Sequence, residues 1–361
     1  MTKKKKKKND KLKGIMLIIV LVGSFLAIHQ TKEEPYQNLP SYSIKIIEEA
    51  KVELEQITKS SQTFSFSFIT DLHINNEQNS ENNMLAFSKM TNEKEIKFGV
   101  VGGDLYTAYQ TNHEQGIQYI QYIHDFLTKK IKDKNLFFTK GNHDCNAKLE
   151  KSEFISNEEY YNMITKSVEK DVIKNEQDKD GNYYYKDFEK EKIRICVLNS
   201  FEGEGQQYIF KEKELTFIAN DMLNFTQKEN PEQWQVIFFS HTASVEDREE
   251  FDKIVDAFQK GEKIQVQGKQ VDYTKQGKGN VIAFIAGHSH VDTQQYHNGY
   301  WDIVVQRGFN LKEEKGTENE ICFSIFTIDL EKKILYETRC GRGENRQWNY
   351  EEEKEILDKA A

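Results

Sequence analysis

The sequence predicts an α/β fold built in layers around a largely buried sheet, and three observations point to it. Six runs rich in β-branched and aromatic residues have strand length: 64–70 (FSFSFIT), 96–101 (IKFGVV), 135–139 (NLFFT), 193–199 (IRICVLN), 235–240 (QVIFFS) and 280–287 (NVIAFIAG). Stretches with helical spacing lie between them at 114–132, 157–174, 212–224 and 246–260, and such alternation builds α/β layers. The composition is that of a globular chain: 361 residues with 37% hydrophobic, 12% aromatic and 3 Pro are enough to bury a full core.

In chain order, residues 1–13 form a basic segment with eight Lys against one Asp. The run at 15–28 that follows reads IMLIIVLVGSFLAI. Basic then apolar is the pattern of a secretory signal or a signal anchor, so 14–29 is expected to be a transmembrane anchor or signal segment. The run is short against the about 20 residues of a membrane span. Its nearest small-residue cleavage candidate, Val22-Gly23-Ser24, falls inside the apolar stretch, which favours an uncleaved anchor over a cleaved, secreted form. Lysines on the cytoplasmic side would then leave the body exported, with the membrane as a partner through this segment. Residues 30–62 combine a polar linker, holding Pro35 and Pro40, with a helix at 41–58. There Ile44, Ile47, Val52, Leu54 and Ile57 fall mostly at helical spacing, and the helix either lies on the main domain or acts as a stalk. The main domain is expected at 63–345 and a charged tail at 346–361.

Net charge narrows the partners. The total of −9 includes +7 from residues 1–13, so the rest of the chain carries −16. An acidic body lacks the basic face that nucleic acid requires, so no nucleic-acid partner is expected, and nothing in the sequence signals a protein partner. Cys145, Cys196, Cys322 and Cys340 form no C-x-x-C pair, which argues against a thiolate zinc site or a redox motif and for buried small apolar residues.

Five of the six strand runs end on residues able to hold a metal: Asp71-Leu-His73, Asp104, Asn142-His143-Asp144, His241, and His288-Ser-His290. Ligands in α/β sheets bind at the carboxyl ends of strands, where successive loops converge. Imidazole, carboxylate and amide oxygen suit Mn, Fe, Zn, Ni or Mg, with Mn²⁺ the leading candidate. In an extended segment residues i and i+2 point the same way, so Asp71 and His73 are expected to face one metal and His288 and His290 to straddle a pair. A carboxylate bridging two ions would let a shared water ionise near neutral pH, making a hydroxide nucleophile.

The ordered set D-x-H, G-D, G-N-H-D, a lone His after an apolar strand, and G-H-x-H resembles the calcineurin-like metallophosphoesterase superfamily, over roughly 63–340. The closing stretch 338–346 resembles phage- and Firmicute-type members. The resemblance implies a four-layer αββα sandwich with two mixed β-sheets. It also implies Asp71, His73 and His290 on a first metal, Asp104 bridging, and Asn142, His241 and His288 on a second. His143 would be the general acid or an electrostatic stabiliser, contacting substrate together with Asn142. The implied activity is two-metal hydrolysis of phosphoric mono- or diesters; a non-catalytic scaffold of the same fold and a nuclease are the alternatives.

This chain also departs from the pattern. Where the superfamily's protein phosphatases carry G-D-x-x-D-R-G, this sequence has Thr107-Ala108, so the Asp that would orient His143 is missing and a Ser/Thr protein phosphatase is disfavoured. Arg339 and Arg342 are candidate phosphate contacts, with a solvated arginine loop as the plainer reading. Tyr106, Tyr109 and His113 follow the bridging Asp and are candidate pocket residues. Asp178 to Asn182 looks superficially like a calcium loop, but Asp180-Gly181 reads better as a hairpin turn.

Overall fold

The computed structural model describes residues 38–59, 62–75, 80–109, 111–132, 135–146, 150–201 and 207–351. The expected basic segment at 1–13 and the anchor at 14–29 lie outside them. Among the described residues no helix is long and apolar enough to cross a membrane.

Residues from Pro40 onward form one compact unit. Its first sheet contains β1 (Thr63–Ile69), β2 (Ile96–Val101) and β3 (Asn135–Phe138). The second contains β4 (Ile173–Lys174), β5 (Tyr184–Phe188), β6 (Ile193–Val197) and β7 (Gln235–Phe239). A separate hairpin pairs β8 (Lys263–Val266) with β9 (Lys269–Asp272). The second sheet is completed by β10 (Asn280–Ala286), β11 (Thr293–His297) and β12 (Tyr300–Val304), and the first by β13 (Cys322–Asp329), β14 (Ile334–Gly341) and β15 (Arg346–Asn349). Strand orders are β15-β14-β13-β1-β2-β3 and β11-β12-β10-β7-β6-β5-β4. Both sheets are mixed. β1, β2 and β3 run parallel while β13 to β15 are antiparallel; β6, β7, β10 and β12 run parallel while β4, β5 and β11 are antiparallel.

The alternation FSFSF in β1 shows how the layers form. Phe64, Phe66 and Phe68 point into the space between the sheets, where Phe66 meets Phe239 of the second sheet edge-on at 5.3 Å. Ser65 and Ser67 face the other way and are buried too, bonding Thr327 at 2.9 Å and Thr91 at 2.7 Å. Helices α1 (Ser41–Thr58), α2 (Glu81–Thr91) and α3 (His113–Lys130) attach to the first sheet's side of the domain. After α4 (Asn157–Met163), α5 (Glu212–Phe217), α6 (Arg248–Lys260) and α7 (Tyr273–Gln276) share a core with the outer face of the second sheet, where Phe251 packs on Phe238 and Phe284. α1 is therefore no stalk: Ile46, Ile47, Ala50 and Leu54 are buried, and Lys45 reaches Glu318 at 2.7 Å.

Several expectations change. The stretch expected as one helix at 157–174 becomes α4, a 3₁₀ segment Thr165–Asp171 and β4. Ser156 and Glu159 form a capping box that starts α4, whereas β-branched Thr165 and Val168 and the Ser167 hydroxyl bonded to Ile164 O favour the tighter turns that follow. At 212–224 the helix widens after Phe217 into a π turn, Ile218–Met222. First-sheet pairing continues past 345, because β15 brings Trp348 into the core. Asp180-Gly181 does lie in the turn before β5, and all four cysteines are buried and outside any disulfide.

Candidate metal centre

Each expected ligand sits just past the carboxyl end of a parallel strand: Asp71 and His73 after β1, Asp104 after β2, Asn142 after β3, His241 after β7, and His288 and His290 after β10. The local backbone is not the extended one that residue alternation assumes. Asp71, His73, Asp104, His288 and His290 all have left-handed φ, between 44° and 71°. Such conformations cost a non-glycine residue of order 1–3 kcal/mol each and persist only where surrounding bonds enforce them. Here those bonds are Asp71 N–H to Gly103 O (3.0 Å), His73 N–H to Asp104 O (3.1 Å) and Phe309 N–H to Asp71 O (2.9 Å). Close approach is built in as well, since a side chain at Gly141 would collide with the Asp104 carboxylate.

The side chains converge in two groups that share one carboxylate. In the first, Asp71, His73, Asp104 and His290 bring one donor atom each to within 4.8 Å of the others. His73 Nε2 lies 3.2 Å from His290 Nε2, 3.5 Å from Asp104 Oδ2 and 3.7 Å from Asp71 Oδ1. The second group joins Asp104, His241 and His288. His241 Nε2 lies 3.2 Å from both Asp104 Oδ2 and His288 Nδ1. Donors bound about 2.0–2.2 Å from one ion stand roughly this far apart.

Bonding elsewhere leaves these atoms unsatisfied. His241 Nδ1 lies 2.7 Å from Gly102 O, which can only accept, so Nδ1 carries hydrogen and Nε2 faces the cluster. Asp71 Oδ1 and Asn142 Oδ1 are buried without hydrogen-bond partners, a costly state that a cation relieves. Burial alone would raise the Asp104 carboxyl, but the His241, His143 and His73 imidazoles outweigh it and hold it well below the usual range. Burial would likewise lower His241, but Asp104 and Asp71 overcome it and raise it to about 10. Two buried carboxylates thus draw a proton onto His241, at the position a cation would take. The donor set fits divalent ions.

His143 stands beside this cluster, its Nε2 4.0 Å from Asp104 Oδ2. The missing Asp at position 107 is replaced by backbone: Ala108 N–H donates to His143 Nδ1 at 2.9 Å. Nδ1 is thereby the acceptor, and the neutral ring carries its hydrogen on Nε2, toward the site. Burial lowers its pKa to about 4. Thr107 instead ties the His73 carbonyl through its hydroxyl at 2.9 Å. Asp144, whose role the sequence did not reveal, accepts from the backbone N–H groups of Asp104 (2.9 Å), Leu105 (2.7 Å) and Gly141 (2.8 Å). It pins the loop that carries Asp104.

The remaining candidates separate. Tyr106 is buried, its hydroxyl on Asn146, and His113 begins α3 with Nε2 2.9 Å from Glu159. Tyr109 alone of the three stands open beside the site, its ring 5.2 Å from that of His143. Arg339 is buried on Asp292 (2.6 Å) and Glu337 (2.9 Å), and Arg342 sits on Glu314 (2.7 Å), so neither belongs to a solvated loop. Two aromatic neighbours escaped the sequence reading: Tyr208, 5.2 Å from His288, and Phe309, 5.1 Å from both His73 and His290.

A layered α/β domain with clustered His, Asp and Asn at its strand ends is a metallohydrolase architecture, and the comparisons specify the family. The calcineurin-like phosphoesterase profile matches residues 64–292, and the chain belongs to that family. A dimetal phosphatase from Danio rerio is similar in structure at a TM-score of 0.57 and 14% identity, covering 80% of this chain and 99% of its own. The Plasmodium protein GAP50, the anchor in the inner membrane complex, gives a TM-score of 0.43 at 10% identity, over 80% of this chain and 89% of its own. At 14% identity the likeness to the Danio rerio protein is one of fold. No curated protein sequence matches.

Proposed function

We propose that the protein hydrolyses phosphoric esters, mono- or diesters, with two divalent cations. Asp71, His73 and His290 would hold one, Asn142, His241 and His288 the other, and Asp104 would bridge them; Mn²⁺ is the first candidate on ligand type. The observation that carries this reading is the sharing of Asp104 Oδ2 between two donor groups, 3.5 Å from His73 Nε2 and 3.2 Å from His241 Nε2. When bound, such cations acidify the attacking water and neutralise charge on the phosphoryl oxygens.

The protein's own residues supply the rest. His143, fixed by Ala108 N–H, presents Nε2–H as a hydrogen-bond donor to a phosphoryl or leaving oxygen. Its low pKa makes it a neutral donor at pH 7 rather than an imidazolium. The left-handed ligand backbones, held by their neighbours before any substrate arrives, are preorganisation. Metal-loaded protein should turn over an aryl phosphate, lose that activity to chelator and contain two ions per chain. Absence of turnover across a panel of mono- and diesters would overturn the proposal. Placement of the domain on the exported side of a membrane, argued from the N-terminal lysines, belongs to the same reading; protection of the domain from protease added to intact cells would contradict it.

A further inference from the structure

We infer that Tyr109 and Tyr208 flank the mouth of the metal centre and receive a planar aromatic group carried by the substrate ester, a subsite that rests on the phosphoesterase reading. Tyr109 is 53% exposed, and its ring meets His143 edge-on, at 5.2 Å and 78°. The backbone leading to it is held. Leu105 N–H is bound by Asp144, Thr107 N–H by Ile74 O, the Thr107 hydroxyl by His73 O, and Ala108 N–H by His143. An exposed ring on a rigid loop loses little freedom when it binds, which is how aromatic anchors gain affinity.

Tyr208 stands over the other group, 5.2 Å from His288, and is braced by Phe201 at 5.2 Å and by their β-bridge. Tyr109 thus lies against His143, beside Asp104, and Tyr208 against His288 of the second donor group, so each ring borders the same set of donors. If His143 Nε2–H serves the leaving oxygen, a group attached to that oxygen would come against Tyr109, whose ring packs on His143. Arg339 on β14, with Arg307 and Arg342, is taken up by Glu314, Asp292 and Glu337, so these three supply no second anion handle. Among the described residues, ring contact is what Tyr109 and Tyr208 offer beside the donors.

The test uses the full chain loaded with Mn²⁺. Calorimetry should find phenylphosphonate bound more tightly than methylphosphonate. Tyr109→Ala and Tyr208→Ala should each reduce that preference about three- to tenfold, the scale of one aromatic contact, and Tyr109→Phe should restore it. Tyr122→Ala, an exposed tyrosine on α3, should change nothing. In kinetics, Tyr109→Ala should lose more kcat/KM on phenyl phosphate or adenosine 5′-phosphate than on glycerol 3-phosphate. Which of the two shows the loss tells whether the ring is joined directly or through a sugar. Equal affinity for the two phosphonates, or equal losses on all three esters, overturns the aromatic subsite alone. Failure of both phosphonates to bind, with no ester turned over, removes the phosphoesterase reading along with it.

Discussion

Two regions of this molecule bury charge, and they do it in opposite ways. At the arginine cluster, Asp292, Glu314 and Glu337 are matched by Arg307, Arg339, Arg342 and Arg346, with Arg339 Nη2 2.6 Å from Asp292 and Arg346 Nε 2.5 Å from Glu337. At the metal centre, Asp71 and Asp104 face histidine nitrogens, and acceptors such as Asp71 Oδ1 and Asn142 Oδ1 have no donor. One region satisfies its carboxylates from within the chain. The other leaves Asp71 Oδ1 and Asn142 Oδ1 buried without a hydrogen bond, which a cation would relieve. Buried charge by itself therefore does not mark a site; unsatisfied buried charge held on strained backbone does.

The sharpest way to break this contrast is Asp104→Asn. It should abolish two-metal occupancy, read by elemental analysis, and reduce hydrolysis by more than the 10–100-fold that loss of a ligand's outer support costs. Retention of two tightly bound ions would dissolve the shared-carboxylate argument. His143→Ala should keep both metals and lose on the order of 10²–10⁴ in rate. The arginine cluster should respond differently. Arg339→Ala should destabilise the fold by about 3 kcal/mol in denaturant titration, as removal of one partner from a buried pair does, while the folded fraction still binds metal. Loss of metal from that folded fraction would show that the two regions are not separate.

Much of this contrast was legible in the sequence, and the reasons it was not all legible are physical. The ligand loops could be read because each motif is short and follows a strand run, so chain-local chemistry and strand ends coincide at Asp71, Asp104, His241 and His288. The support of His143 could not be read, because Ala108 provides it with a backbone N–H that any residue other than proline carries. Nor could the left-handed turns, since Asp71 and His73 satisfy an i, i+2 pattern whatever φ they adopt. α2 was missed because it is buried almost all round, Asn83, Ser88 and Thr91 included, which erases the amphipathic period. Arg339 read as loop because a polar sequence does not reveal that Asp292 and Glu337 await it inside the fold.

The least drastic prediction uses protons in place of mutations. In metal-free protein, the Asp104 and Asp71 carboxylates hold His241 at about 10, against about 6.5 in an unfolded chain. A folded-state value above the unfolded one contributes stability fully below about pH 6.5, and that contribution is lost as pH rises through about 10. The metal-free protein should therefore become less resistant to denaturant across that window. Cation binding must displace the same proton, so affinity for the ion held by His241 should instead rise with pH, by about tenfold per unit below 10. Calorimetry at pH 7 in buffers of different ionisation heat should register a proton released as that ion binds. His241→Gln should remove both trends together, whereas Arg339→Ala should leave them in place. If metal affinity were flat from pH 6 to 9 while apo stability still fell, the proton and the cation would not share a position, and the charge deficit at Asp104 would need a different explanation.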